Sequence, residues 1–147
     1  MTPKKQYQKS SVQLSMQTAA SVTPGSVLTY TSESTTGVSI EAAPAEGSAT
    51  ILNQGLYLIL FSASVNTGTS PGEIITQLNK NGEPIPAAAT VLTATADAVT
   101  EDISLATLVK VGPSCRVVDN SEKITVSNTG TVAGIYSNAS LIIVKLA

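Results

Sequence analysis

Apolar and polar residues alternate with a period of two along much of this 147-residue chain, and no stretch carries a helical period over an ordinary helix length. Successive side chains of a strand leave on opposite faces, so this alternation predicts strands with one buried side. In residues 11–22, Val12, Leu14 and Met16 alternate with Ser11, Gln13, Ser15 and Gln17. Thr23-Pro24-Gly25 stops the pattern, since proline and glycine punctuate turns. Residues 26–31 and 37–40 predict two further short strands, 41–47 a loop holding Pro44 and Gly47, and 49–52 another strand.

Residues 56–65, LYLILFSASV, form the most apolar segment, bounded by Gly55 and by Asn66-Thr67-Gly68. Its length and its β-branched and aromatic content predict a strand buried on both faces. A strand over 73–79 runs into Asn81-Gly82, a hairpin turn pair that tolerates positive φ. Pro84 and Pro86 are expected to exclude regular pairing just after it. Residues 87–99 mix helix-forming alanines with stiff Thr90, Val91, Thr93 and Thr95, and read as extended chain with loops. Strands over 103–111, 115–118, 123–127 and 136–146 complete a set of nine or ten. Many short strands between turn signals imply an all-β sandwich or barrel, and their order suits a jelly roll.

Composition narrows the chemistry. Histidine is absent and Cys115 is the single cysteine, so neither a Ser-His-Asp nor a Cys-His pair exists, and zinc or iron sites lack their usual ligands. Cys115 has only Arg116 beside it, which a strand would turn to the opposite face. Glu101-Asp102 and Asp119-Asn120-Ser121-Glu122 offer oxygen ligands to calcium but match no EF-hand loop. No acid falls in the strands predicted to be buried, so a paired-carboxylate site is not expected. The expectation is a protein without catalytic residues, cofactor or metal. Asn138-Ala139-Ser140 spells a glycosylation sequon but lies in a predicted strand, which counts against its use.

Charged residues make up 12% of the chain, about half the usual share of roughly 25%. Little repulsion keeps such copies apart, which suggests a surface partly consumed by like subunits. The two-sided strand at 56–65 says the same, because one face packs the core and the other needs a cover. A net charge of −2 gives no general attraction to nucleic acid, and no apolar run reaches the 18 or so residues of a membrane span. Lys4, Lys5 and Lys9 precede no apolar segment of the signal-peptide kind. With Tyr7 they mark residues 1–10 as a basic segment suited to anchoring on a protein surface.

Three blocks occur in a telling order: Gly55-Leu56-Tyr57-Leu58-Ile59-Leu60-Phe61-Ser62, then Gln77-Leu78-Asn79-Lys80-Asn81-Gly82, then Ala139-Ser140-Leu141-Ile142-Ile143-Val144. In this the chain resembles the C1q/tumour necrosis factor-like superfamily from about residue 38 onward, above all its Ser/Thr-rich bacterial and phage branch with spore-surface glycoprotein tips. The resemblance implies a ten-stranded jelly roll that forms a homotrimer, with Tyr57, Ile59, Phe61, Leu141 and Ile143 in the subunit core or the threefold contact. Some relatives bind calcium near the threefold axis. The chain departs from the pattern in having no collagen-like repeat before the domain and an aromatic share of only 3%, so the contact would be aliphatic.

The expected organisation is an extended N-terminal arm over 1–25, anchoring or exchanged between subunits, and a trimerising jelly roll over 26–147. The expected function is a non-enzymatic decoration or fibre-tip component on the exterior of a phage-like capsid, made in the cytoplasm. Its partners would be itself and, through Lys4, Lys5, Tyr7 and Lys9, a capsid or coat protein; neither nucleic acid nor membrane is expected. Two alternatives stay open. One is a module recognising a host-surface glycan through the loops 66–71 and 87–100. The other is a spore-coat tip on a spore or cell surface, which the missing collagen repeat disfavours.

Overall fold

Alternation in the sequence becomes two stacked antiparallel sheets. The computed structural model describes residues 9–113 and 121–147, and among them eleven strands, one more than expected. These are β1 (Ser11–Met16), β2 (Ala20–Val22), β3 (Ser32–Thr36), β4 (Ile40–Ala43), β5 (Ser48–Ile51), β6 (Gly55–Asn66), β7 (Gly72–Lys80), β8 (Glu83–Ala94), β9 (Thr100–Val111), β10 (Glu122–Asn128) and β11 (Gly134–Lys145). One sheet runs β3-β1-β11-β6-β9 with β2 beside β11, and the other runs β4-β5-β10-β7-β8. Apart from β4–β5 and the β7–β8 hairpin, neighbours in a sheet are not consecutive in sequence, as in a jelly roll.

The core fills the space between the sheets. Leu14 of β1, Tyr57, Ile59 and Phe61 of β6, and Leu141 and Ile143 of β11 meet Ile51, Ile74, Leu78 and Ile124 from the other sheet, all at most 1% exposed. Each such side chain contributes about 1.5–3 kcal/mol by leaving water. The central ladder is long: β6 and β9 pair without interruption from Gly55 opposite Val111 to Asn66 opposite Thr100.

Several local expectations are corrected. The arm expected over 1–25 does not extend that far, because β1 lies between β3 and β11 and buries Val12, Leu14 and Met16. The apolar face of β1 needs the same core as the rest, so the sandwich begins at Ser11. Residues 26–31 are not a strand; they make one bridge, Val27 to Ser127, with the Leu28 N–H donating to the Val126 carbonyl. The neighbouring β3, Ser-Glu-Ser-Thr-Thr, is a strand that alternation misses, since all five residues are exposed and only the backbone ladder to β1 holds them. The strand expected from residue 37 starts at Ile40, and the expected loop 41–47 holds the rest of β4 and one 3₁₀ turn, Pro44–Glu46. That turn closes on Gly47 in the left-handed region, where any Cβ would overlap the Leu28 carbonyl.

Pro84 stands opposite Asn79, and just after it regular pairing is lost as expected, since residues 85–88 have no ladder partners, although the strand itself continues through Pro86. β8 is the end strand of its sheet, so a ring without an N–H faces no missing partner there. The ladder between β7 and β8 slips between Gln77 and Asn79, and the Gln77 side-chain amide fills the gap, donating toward the carbonyls of Leu78, Ile85 and Ala88 at 2.7–3.2 Å. From Ala89 to Ala94 pairing is regular, so the ambiguous 87–99 segment is mostly strand. The strand expected over 115–118, with Cys115, lies outside the described residues.

Two buried tyrosines make opposite use of their hydroxyls. Tyr136 and Thr76 share a hydrogen bond of 2.7 Å in the core. The Tyr30 hydroxyl is buried with no partner among the described residues, and burial pushes its pKa up strongly. Tyr136→Phe is therefore expected to lower unfolding free energy by about 1–3 kcal/mol, whereas Tyr30→Phe leaves it unchanged or higher at neutral pH. Because the folded-state pKa of Tyr30 lies above the unfolded value of about 10, its contribution is complete below that pH and is lost as pH rises further. Denaturant unfolding across this range should show a shallower alkaline decline for Tyr30→Phe. Leu14→Ala should cost about 2–5 kcal/mol, as for a core leucine; a cost like that of a surface change would place β1 outside the sandwich.

Candidate functional site: the outward face of the β6 sheet

The first half of β6 is apolar on both sides. Tyr57, Ile59 and Phe61 point between the sheets, as do Leu141 and Ile143 of β11, and all five are 0–1% exposed. The structure thus places every residue expected in the core or threefold contact inside one subunit, beyond the reach of a neighbouring copy. The pleat turns Leu56, Leu58 and Leu60 the other way. Leu58 stands between Val144 of β11 and Leu108 of β9, and Leu60 stands between Ile142 and Ala106. These side chains form one apolar band across three strands, with Leu60 37% and Leu108 57% exposed.

The band has a defined border. The next row consists of Ser32, Ser15, Ser140, Ser62 and Ser104, one serine from each of β3, β1, β11, β6 and β9. The Gln13 side-chain amide donates to Ser140 Oγ at 3.2 Å from the row below. Past the serines, Ser64 Oγ donates to Asp102 Oδ1 at 2.6 Å, and Asn66 Nδ2 donates to Thr100 Oγ1 at 3.1 Å. The face is graded from aliphatic through hydroxyl to acidic. A depression of about 440 Å³ straddles the first border, lined by Leu60 and Ile142 on one side and Ser62, Ser104 and Ser140 on the other. Such a surface suits broad apolar contact with a hydrogen-bonded margin, the composition of a subunit interface.

Other expected sites are dispersed. Lys9 is exposed at one end of the sheet, in a recess of about 620 Å³ with Ser11, Thr36, Val144 and Lys145. Lys4, Lys5 and Tyr7 lie outside the described residues. The two loops considered for glycan recognition are brought together: the Thr67 N–H donates to the Val99 carbonyl at 2.9 Å, and the Val99 N–H donates to Thr67 Oγ1 at 3.1 Å. Most of 87–100, however, is β8 and the start of β9, which leaves 95–99 as the loop. Asp102 of the possible calcium pair is taken by Ser64, and Glu122 pairs with Lys80 at 3.5 Å. Among the described residues no three Asp, Glu, Cys or His side chains come together as a metal site. Asn138 lies in a strand as expected, and it is exposed there at a bulge of β11 with φ of 49°.

Sequence reasoning missed Leu56, Leu58, Leu60, Leu108, Ile142 and Val144 as a set. The signal was present in the alternation of β6, where the aromatic residues share one parity and the leucines the other. Choosing the outward parity requires knowing which side the second sheet covers.

No family model and no curated protein sequence matches the chain. Solved structures do. The chain is similar to the globular domain of a zebrafish complement 1qA protein at 10% identity, over 92% of this chain and 94% of that one, with a TM-score of 0.58. It is similar to murine APRIL at 16% identity, over 94% of this chain and 99% of that one, with a TM-score of 0.62. Eiger TNF from S. frugiperda matches at 9% identity, over 96% of this chain and 94% of that one, with a TM-score of 0.65. At these identities the likeness concerns architecture alone. The chain folds as a jelly-roll sandwich of the C1q and TNF type.

Proposed function

We propose that this protein is a non-enzymatic homotrimeric module that acts by being built into a larger assembly. The observation that carries the reading is the apolar band on the outward face of the β6 sheet. Val144, Leu58 and Leu108 in one row, and Ile142, Leu60 and Ala106 in the next, present aliphatic surface that the fold of one chain leaves uncovered. Exposed apolar patches with polar rims mark association surfaces. The occupant is a second and third copy of the chain. The band is aliphatic and uncharged, so like copies meet without repulsion, and its serine border supplies a polar rim on every copy.

Within that reading, the finer proposal is a decoration or fibre-tip component on the exterior of a phage-like capsid. Residues 1–9 act as the anchor, since the sandwich claims the chain from Ser10 onward: Ser10 is buried, and its Oγ accepts the Ser39 N–H at 3.1 Å. Three lysines and Tyr7 in this segment suit an acidic protein surface. Location on a virion surface follows from this proposal and shares its fate. The joined loops at Thr67 and Val99 favour a second reading, in which that end of the module recognises a surface glycan.

Sedimentation equilibrium at micromolar concentration should return the mass of three chains. Leu60→Lys/Leu108→Lys, at two exposed positions, should give single chains with unchanged circular dichroism. A wild-type monomer, or a trimer indifferent to both lysines, contradicts the reading. Removal of residues 1–9 should leave the trimer intact and abolish co-purification with the particle; retained co-purification removes the anchoring role.

A further inference from the structure

The end strands of a sheet carry backbone N–H and C=O groups without ladder partners, and such edges recruit other strands unless they are short, charged or interrupted by proline. Among the described residues the sheets end in four strands, β3 and β9 in one and β4 and β8 in the other, and the three-residue β2 is also paired on one side only. β3 spans five residues with Glu33 among them, and β4 spans four with Glu41. β9 carries Glu101, Asp102 and Lys110. The first half of β8 carries Pro84 and Pro86. Its second half, residues 87–94, reads Ala-Ala-Ala-Thr-Val-Leu-Thr-Ala, without charge, proline or glycine, and beyond Ala87, which sits at the ladder slip with a φ of 61°, it is regular strand. Ala87, Ala89, Val91 and Thr93 are exposed, Val91 at 57%.

A second observation falls on the same segment. Thr90 stands opposite Thr76 on the inner side of the sheet. The Thr76 hydroxyl is engaged by Tyr136, while Thr90 Oγ1 is buried with no partner among the described residues. A buried hydroxyl left unpaired is costly. Among the described residues the side of β8 away from β7 has no ladder partner, and β9 approaches the strand at Pro84, Ile85 and Pro86, so a strand added at Thr90 is placed to supply the partner.

We propose that residues 88–92 of β8 are a self-pairing edge, through which two copies of this chain align antiparallel across a twofold centred on Thr90. That register sets the two Thr90 hydroxyls opposite each other, each able to donate and accept, and cross-strand Thr–Thr pairs of this kind stabilise sheets. It sets Ala89 opposite Val91 on the outward face and Ala88 opposite Leu92 on the inward face, so burial parity is kept. No charge opposes another. The two five-stranded sheets join into one. An unrelated strand would satisfy the backbone but would have to bring a hydroxyl of its own to the right position. This contact goes beyond the trimer and does not depend on it, because the apolar band lies on the other sheet. Where both operate, the twofold links one trimer to the next, and an assembly of many copies follows from two kinds of contact on one chain.

Cross-linking tests the register in a Cys115→Ser background. Thr90→Cys should give a disulfide-bonded pair on mild oxidation, whereas Val91→Cys should not, because its two copies lie too far apart along the strands. Equal cross-linking at both positions, or none at either in folded protein, overturns the proposal. Charge placement gives the second readout. Ala89→Lys/Val91→Lys sets ammonium groups directly opposite one another and should weaken the pairing about tenfold or more, while Ala89→Lys/Val91→Glu should retain it. Loss in both variants contradicts the register. Leu60→Lys/Leu108→Lys separates this proposal from the trimer: it should abolish the threefold mass and leave the Thr90→Cys cross-link in place.

Discussion

The pleat of β6 is the constraint on which the rest of the molecule depends. A strand sends alternate side chains to opposite sides, so a strand that is apolar at nearly every position must be covered twice. The second sheet covers Tyr57, Ile59 and Phe61 completely. β11 and β9 flank the strand over most of its length and extend the other side into a broader band. The fold covers one side of the strand completely and leaves the other partly exposed. A protein with few charges has limited means of keeping such a face in water, and in this chain charged residues are only 12% of the total.

Polar chemistry is used chiefly for local order. Asn128 illustrates it: its Nδ2 donates to the carbonyls of Val22 and Val132 at 2.9 Å, and its Oδ1 accepts the Gly130 N–H at 2.9 Å, so one buried side chain ties β2 and the turn before β11 to β10. Gln77 does similar work at the slip in the β7–β8 ladder, Asn79 holds Ser127 at 2.8 Å, and Tyr136 holds Thr76. Each of these amides and hydroxyls replaces water that a buried group has lost. Tyr30 and Thr90 stand out because their hydroxyls lack such replacements. Tyr30 lies within the sandwich and simply bears the cost, whereas Thr90 lies on an edge strand where a partner has access.

Edge treatment and face treatment together confine the exposed apolar and unpaired surface to a few defined places. Three of the four sheet edges are short or charged, and the fourth is blunted by proline over half its length. The outward face of the β6 sheet ends in a row of serines that separates the aliphatic band from Asp102 and its surroundings. Both arrangements limit association to defined places, which distinguishes an assembling protein from one that aggregates.

The sequence by itself determined the period of the strands, the position of the hairpin at Asn81-Gly82, the central status of 56–65 and the jelly-roll class, because each rests on side-chain patterning within a few residues. It missed β3, which is held by its ladder to β1, and it assigned residues 11–22 to an arm although their strand was legible, because only the pairing with β3 and β11 shows that this strand belongs to the sandwich. Only the tertiary structure decided which parity of β6 faces outward. Both parities are apolar, so the composition of the strand cannot distinguish them, and the distinction arises from which side the second sheet occupies. Leu56, Leu58 and Leu60 become a surface, and Tyr57, Ile59 and Phe61 a core, for that physical reason alone.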